Sequence, residues 1–488
     1  MRVIVCGAGQ VGSSIARQLA GEANDVTVID SDPDIVQKLA ETAEVRCIVG
    51  GASLPDVLED AGAKNADMII AVTYSDEINM VACQVAHSLF DVPEKIARVR
   101  DQSYLHPAWA DLYSPDHLPI DLIISPEIEV ARAIERRLQV PGALDMLPFG
   151  DGRLRVIAVR CQDGCPIVNT PLRQLTEIFP DLNIVILGIM RSDKLIVPRG
   201  DDQMLVGDEV YFVADSEHVE RSMAVFGHEE KEARRMVIVG GGNIGLFLAR
   251  NLEAAHPDLN LKIIEVNAKR AQYLAENLSR TTVIHGDALD SDILTEVNIA
   301  MTEAVIAVSN DDEVNILASL LAKRAGCQRA VTLVNSSNYA PLMGTLGVDV
   351  AVSPRESTVS TILQRIRRGR ILGIQSIRDG LAEIVEAEAL ETSPLVGKPL
   401  KEIKLPSGIL IGAILRDGEV IIPRGDSEIV AHDRVVVFAA ASAVKKLEKL
   451  FAVSLEFFSC RRKLKPDYVE NSICQWPLCG ARRRAGSY

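Results

Sequence analysis

Two glycine-rich loops carry the clearest chemical signal in the chain. Gly7-Ala8-Gly9-Gln10-Val11-Gly12 follows the apolar run Arg2 to Cys6 and opens an amphipathic stretch; Asp30 ends the next apolar run, Val26 to Ile29. In a strand–loop–helix unit the first glycine permits the tight turn, the second lets the backbone approach a diphosphate, and the third lets helix and strand pack closely. The helix N-terminus then offers unpaired N–H groups and a positive dipole end to phosphate oxygens. A carboxylate at Asp30 accepts hydrogen bonds from ribose hydroxyls and repels a 2′-phosphate. Ser31 and Asp32 follow it, with no arginine to favour NADP. The expected ligand is NAD(H), or the adenosine part of ATP or ADP. The plainer alternative, glycines that serve only helix–sheet packing, leaves the acid in register unexplained. Gly240-Gly241-Gly242-Asn243-Ile244-Gly245 repeats the loop, and Glu265 supplies the second acid. Lys269 and Arg270 follow it, as surface cations or as groups approaching a phosphate.

Two further positions fall at the carboxyl ends of expected strands, where open α/β sheets bind ligands. Thr73 and Tyr74 follow the run Met68 to Val72, with Ser309 and Asn310 as counterparts. Arg98, in the run Ala97 to Val99, either reaches a phosphate or makes a strand-edge salt bridge. Its counterpart is read as the uncharged Thr332, so the two pockets are expected to differ in phosphate affinity.

Chemistry beyond binding finds little support. A dehydrogenase needs an acid/base at the nicotinamide, yet none of the eight histidines recurs in both loops' neighbourhoods or sits beside an acid at a suggestive spacing. No nucleophile elbow, metal triad or P-loop lysine occurs, so no catalytic or metal-ligating residue is assigned. An NAD-dependent oxidoreductase stays as the alternative class. The nine cysteines are scattered and odd in number. They read as structural or inert thiols of a reducing compartment, with a metal or redox role for the close pair Cys161 and Cys165 as the alternative.

The elements that must position these residues occur twice. Asp67-Met68-Ile69-Ile70-Ala71-Val72 matches Glu303-Ala304-Val305-Ile306-Ala307-Val308, and Ser75-Asp76-Glu77-Ile78-Asn79 matches Asp311-Asp312-Glu313-Val314-Asn315. Later, Pro166-Ile167-Val168 matches Pro394-Leu395-Val396, and Val197-Pro198-Arg199-Gly200-Asp201 matches Ile422-Pro423-Arg424-Gly425-Asp426. Nearly constant spacing of these signatures indicates a duplicated two-part unit. The fold class is α/β. The first part of each unit alternates short β-branched runs with amphipathic stretches, the βαβ pattern of a parallel sheet. Strands are expected at Arg2 to Cys6, Val26 to Ile29, Val45 to Val49, Met68 to Val72 and Ala97 to Val99, with a helix over Val11 to Ala20. The second part is a small α/β lobe, with strands at Leu154 to Val159, Ile184 to Met190, Lys194 to Val197 and Glu209 to Val213. A helix over Pro126 to Leu138 is expected to bridge lobes or meet a second subunit. The charged run His228 to Arg235 reads as a solvated linker or helix end.

Composition fits this organisation. With 488 residues, 48% hydrophobic and 24% charged, the chain has ordinary globular composition and room for three or four domains. A net charge of −15 disfavours nonspecific nucleic-acid binding. No helix-turn-helix or basic reading face supports a transcriptional regulator. The opening Met-Arg-Val-Ile-Val-Cys-Gly reads as a first strand, with no signal peptide, and no apolar stretch of about 18 residues appears. A soluble protein is expected.

The loop Val5-Cys6-Gly7-Ala8-Gly9-Gln10-Val11-Gly12, the run Ser75 to Gln84, the loop Gly240 to Gly245, Asn310-Asp311-Asp312-Glu313 and Ile403-Lys404-Leu405-Pro406 together resemble the TrkA family over residues 1 to 458. These are the peripheral cytosolic components of bacterial Trk potassium uptake systems. The resemblance implies tandem RCK units, each a Rossmann-like N-lobe followed by a C-lobe, at 1–124, 144–228, 233–352 and 371–453. It also implies a homo-oligomeric ring beneath a membrane-embedded potassium-translocating subunit, on the cytoplasmic face of the inner membrane. NAD(H) and the adenine nucleotides ATP and ADP would be the regulatory ligands. By motif, Gly7 to Gly12, Asp30, Thr73, Tyr74 and Arg98 would line a first site; Gly240 to Gly245, Glu265, Ser309 and Asn310 would line a second. Gly50-Gly51-Ala52-Ser53 departs from Gly286-Asp287-Ala288 in the second copy, so the acid after the third strand is missing from the first. Residues 459–488 carry seven Lys/Arg, two acids and three cysteines and have no family counterpart. They are expected to be disordered, or to contact anionic lipid.

Overall fold

The structure, a computed structural model, describes residues 1–451 except 22–23, 180–181, 193, 337, 367–370 and 378–379. The basic extension expected at 459–488 lies outside the described residues. The first sheet comprises β1 (Arg2–Cys6), β2 (Asp25–Asp30), β3 (Arg46–Val49), β4 (Met68–Ala71), β5 (Glu94–Arg98) and β6 (Leu122–Ile124). All are parallel, in the order β3-β2-β1-β4-β5-β6. The central strands are buried on both faces, which is why they read as unbroken apolar runs rather than alternating ones. The strand order reverses between β1 and β4, and that opens a crevice at their carboxyl ends. The helix Gln10–Gly21 packs Ile15, Ala16 and Leu19 onto the sheet.

An antiparallel sheet follows. It comprises β7 (Ala143–Phe149), β8 (Leu154–Arg160), β9 (Ile184–Arg191), β10 (Lys194–Ile196) and β11 (Glu209–Asp215), in the order β10-β9-β11-β8-β7. The second unit repeats both sheets. β12 (Arg235–Val239), β13 (Asn260–Glu265), β14 (Thr282–His285), β15 (Ala304–Ala307), β16 (Arg329–Leu333) and β17 (Val350–Val352) run parallel in the order β14-β13-β12-β15-β16-β17. β18 (Ile371–Ile377), β19 (Ala382–Glu388), β20 (Ile409–Arg416), β21 (Glu419–Ile421) and β22 (Arg434–Ala440) close the chain in the order β18-β19-β22-β20-β21. The strands expected in the first unit are all present. The short β6 and the edge strand β7, which carries Pro148, were not among them.

Each unit lends the other a helix. Pro126–Leu138 leaves the first unit and packs on Asn243–Ala255, burying Val130, Ala133, Ile134 and Leu138 with Ile238, Leu248 and Leu252 of the second. Pro354–Ile366 returns the exchange, burying Val359, Ile362 and Leu363 with Val3, Val5 and Ile15. At about 1.5–3 kcal/mol for each large apolar side chain, each exchange contributes several kcal/mol to holding the units together. The antiparallel sheets share a core as well, with Leu187 and Val213 packed among Ala413, Val436 and Phe438. The segment from His228 to Arg235 is the linker expected, irregular and exposed over 229–232, except at its first residue: His228 is only 6% exposed, and its Nε2 lies 3.0 Å from the Arg160 carbonyl. No helix among the described residues is long and apolar enough to cross a membrane.

An acid ties the start of each parallel sheet together. Asp67 accepts the Arg2 amide at 2.7 Å, and its counterpart Glu303 accepts those of Arg234 and Arg235 at 2.6 and 2.9 Å. Burial opposes ionisation of Glu303, but these amides and the Arg235 guanidinium outweigh it and hold the carboxyl below its ordinary range. A depressed carboxyl stabilises the fold above its unfolded pKa, and that contribution disappears as pH falls through the folded one. Glu303→Gln is therefore expected to cost about 1 kcal/mol at neutral pH. The deficit should begin to shrink below about pH 4.3, the unfolded carboxyl's range, and vanish as pH falls through the lower folded pKa, as measured by urea unfolding across a pH series.

Candidate functional site

The carboxyl ends of the two parallel sheets face one cavity of about 1390 Å³, larger than the ~300–1,000 Å³ of typical small-ligand pockets. On the first unit's side, Gly7 takes φ +104°, and a Cβ there would lie 3.0 Å from the Thr73 backbone. Gly9 faces open space. Gly12 sits behind the loop, where a Cβ would lie 2.9 Å from the Gly7 carbonyl carbon and closer still to its oxygen. The first glycine thus serves the turn and the third the helix packing, while the second leaves the loop open toward the cavity. Ser13 Oγ adds a hydrogen bond to the Ala8 carbonyl at 2.5 Å. Asp30 accepts the Ala8 amide at 2.6 Å and the Asp32 amide at 3.0 Å. That leaves lone pairs on both carboxylate oxygens for ribose hydroxyls.

Thr73 is held by a residue that sequence reasoning quoted without giving it a role. Asn79 is fully buried in the helix Asp76–Phe90. Its Oδ1 accepts from Thr73 N at 2.8 Å and Thr73 Oγ1 at 2.7 Å, while its Nδ2 donates to the carbonyls of Thr73 and Arg98. Asn315 repeats the clamp on Ser309 and Leu333. Asp76, three residues before Asn79, accepts the Arg100 and Asp101 amides; Asp312 likewise accepts those of Asn335 and Ser336. Two residues unchanged between copies of a partly diverged repeat were the signal that could have exposed this.

Arg98 lines the cavity and donates to the Thr73 carbonyl at 2.7 Å. Its Nε is buried and has no acceptor among the described residues. Burial disfavours the charged form and lowers its pKa. A desolvated guanidinium of this kind suits an anion in the cavity. Arg100, not singled out from sequence, lines the same wall, with its guanidinium 6.0 Å from the Tyr74 ring and an ion pair to Glu127 at 3.0 Å. Tyr74 itself is 86% exposed.

The register of the second sheet corrects one assignment. Ala97 pairs with Ala71 in the first sheet as Thr332 pairs with Ala307 in the second, so Leu333, not Thr332, stands opposite Arg98 in the repeat. A one-residue slip in a strand reverses the face. Thr332 is accordingly fully buried and bonded to Ser319 at 2.7 Å. The second wall lacks an arginine at that strand position; it carries Asp311, Asp312 and Glu313, and the second unit also brings Arg355 to the cavity on its exchanged helix.

Of the residues expected in the sites, Gly7, Gly9, Gln10, Val11, Asp30, Thr73, Tyr74, Arg98, Gly242, Asn243, Ile244, Ser309 and Asn310 line the shared cavity. Ala8, Gly12, Gly240, Gly241, Gly245 and Glu265 do not. Glu265 makes the same pair of bonds as Asp30, accepting the Gly241 amide at 2.7 Å and the Asn267 amide at 2.8 Å. Arg270 covers that loop, donating to the Gly241 carbonyl at 2.6 Å, while Lys269 is exposed. Gly50, Gly51 and Ala52 join the first wall, at the place where the acid is missing. No histidine, cysteine or lysine is among the described residues that line the cavity.

Family models of the TrkA-N domain match residues 3–126 and 236–354, and those of the TrkA-C domain match 156–227 and 384–452. The Trk system potassium uptake protein TrkA of Azorhizobium caulinodans is 52% identical over 458 residues, covering 94% of this chain and all of the relative. That of Halomonas elongata is 42% identical, again over 94% of this chain and all of its own length.

The chain belongs to the TrkA family.

Among solved structures, the GsuK channel superposes with a TM-score of 0.57 at 18% identity, covering 92% of this chain and 78% of that one. A GsuK channel bound to NAD gives 0.55 at 17% identity over the same shares. The tandem RCK fold of this TrkA family member is thus shared with chains of little sequence similarity.

Proposed function

We propose that this chain is the nucleotide-sensing, nonenzymatic subunit of a Trk-type potassium uptake system. It binds NAD(H) or adenine nucleotides at the cytoplasmic membrane face and gates a membrane-embedded potassium-translocating partner as part of an oligomeric ring of RCK lobes. The observation that carries this reading is the shared cavity. Both exchanged helices begin at its wall, at Pro126 and Glu127 in one unit and at Pro354 and Arg355 in the other. A ligand spanning the two walls changes their separation, and each helix passes that change into the other unit's core. A ligand shifts such an equilibrium only by its difference in affinity for the two arrangements.

Within the cavity, the reading places the diphosphate on the amides of Gly9 to Val11 near Arg98, and the adenosine ribose on Asp30. Calorimetric titration of NADH and ATP tests it. Asp30→Ala should weaken binding by more than tenfold, about 1.4 kcal/mol, and Glu265→Ala should do far less, because Glu265 is buried behind its loop and does not line the cavity. Unchanged affinity in Asp30→Ala refutes the placement. Oxidation of NADH above background with carbonyl substrates would overturn the nonenzymatic reading.

A further inference from the structure

The two exchanged helices bring opposite charges to equivalent places. Pro126-Glu127 opens one and Pro354-Arg355 opens the other, and all four residues line the shared cavity. Glu127 stands at the second glycine loop. Its helix and the helix Asn243–Ala255 both start at the cavity and pack together, and Asn251 Nδ2 donates to Glu135 Oε2 at 3.1 Å. Asn251 is eight residues beyond Asn243, and Glu135 is eight beyond Glu127. The two helices therefore run in the same direction, with Glu127 level with Asn243 in the first turn.

Arg355 stands at the first loop. It lies one turn before Val359, which is buried with Ile15 and Leu19 of the helix Gln10–Gly21. It lines the shared cavity with Gly9, Gln10 and Val11, and a second cavity of about 700 Å³ with Ser14 and Arg17. A residue that borders both cavities lies across the first turn of that helix, whose amides are the proposed diphosphate contacts. Arg355 is half-buried, so solvent screens its charge less than that of a surface arginine.

The cavity is thus electrically lopsided. On the first loop's side stand Arg98 and Arg355, and a guanidinium is a planar donor that matches phosphate oxygens. Arg100, on the same side, is engaged by Glu127 at 3.0 Å. On the second loop's side stand the carboxylates of Glu127, Asp311, Asp312 and Glu313, which repel phosphates.

We infer that Arg355, lent by the second unit, selects nucleoside polyphosphates at the first glycine loop, and that Glu127, lent in return, selects against them at the second. This assignment rests on the proposed nucleotide binding in the cavity and gives it a direction. The phosphates go to the first loop, and a residue that holds them there belongs to the opposite unit, so a bound nucleotide ties one unit's loop to the other's helix.

Calorimetric titration of ATP and NADH into the full chain tests this, with thermal melting to check that each variant folds. Arg355→Gln should weaken ATP binding by about tenfold or more, the scale of a hydrogen bond to a charged group. Arg355→Lys, which keeps the charge, should recover most of that loss. Glu127→Gln should tighten ATP binding by about twofold, because it removes a repelling carboxylate and releases Arg100. Full ATP affinity in Arg355→Gln overturns the inference, and so does an equal loss in Arg355→Lys and Arg355→Gln, which would mark a packing role. ATP binding in Glu127→Gln no tighter than the parent's overturns the part assigned to Glu127. A parent chain that binds neither ATP nor NADH refutes the nucleotide reading itself, a failure distinct from these.

Discussion

Alanine at Gly12 is expected to destabilise the first unit by at least about 3 kcal/mol and to abolish nucleotide binding there. The added Cβ would sit far inside van der Waals contact with the Gly7 carbonyl oxygen, 2.9 Å from its carbon and 3.3 Å from a Val72 methyl. Two of the three obstacles are backbone of the loop itself, so no rotamer change relieves them. The helix Gln10–Gly21 has to lift off β1, drawing Ile15 and Leu19 out of the core, at or above the ~1–3 kcal/mol typical of overpacking. Its N-terminal amides move with it. Gly9→Ala should behave oppositely, because nothing lies within 4 Å of its Cβ position. Its stability should match the parent's while NADH affinity falls by about tenfold or more, as the methyl occupies the approach of the diphosphate. Thermal melting and calorimetry on both variants separate packing from ligand contact. Equal stability losses in the two would refute the division of roles among these glycines.

Removing the Asn79 side chain should have a comparable effect for a different reason. Asn79→Ala deletes four hydrogen bonds from a fully buried position and strands Thr73 N and the Thr73 and Arg98 carbonyls. Each buried group left unpaired costs about 1–3 kcal/mol. Arg98 still donates to the Thr73 carbonyl, so a loss of about 3–4 kcal/mol is expected rather than the full sum. NADH affinity should fall as well, because Thr73 and Arg98 lose the group that fixes their backbone at the cavity wall. Asn315→Ala is the built-in comparison. It should cost similar stability through Ser309 and Leu333 but have less effect on phosphate affinity, since Leu333 carries no charge. Denaturant unfolding of the two variants beside their NADH isotherms checks this. A destabilised Asn79→Ala that retained full affinity would remove Asn79 from the site.

Much of this was legible from local pattern. The glycine loops, the acids and the apolar runs are short-range signals, because the turn, the helix start and the strand end lie within about 25 residues of one another. The duplication was legible because two copies of one sequence can be compared, and it led directly to two parallel sheets, each with its crevice at the strand ends. The misplacement of Arg98's counterpart shows where that comparison fails. The flanking residues of β16 diverge too far from those of β5 to fix the pairing, and only the hydrogen-bonded register, with Asn315 reaching Leu333 rather than Thr332, settles it.

What the sequence determined alone is the pair of glycine-rich loops, the acids beside them and their order along a repeated chain. The tertiary structure decided that the two crevices open into one cavity, that Asp30 lines it while Glu265 does not, and that each unit's core is completed by the other's helix. The apolar stripe of Pro126 to Leu138 specifies that something must cover it but not what. That choice depends on contacts more than a hundred residues away, such as Ile134 with Leu248 and Leu252, whose partners are set by the shape of the assembled surfaces and by no local spacing.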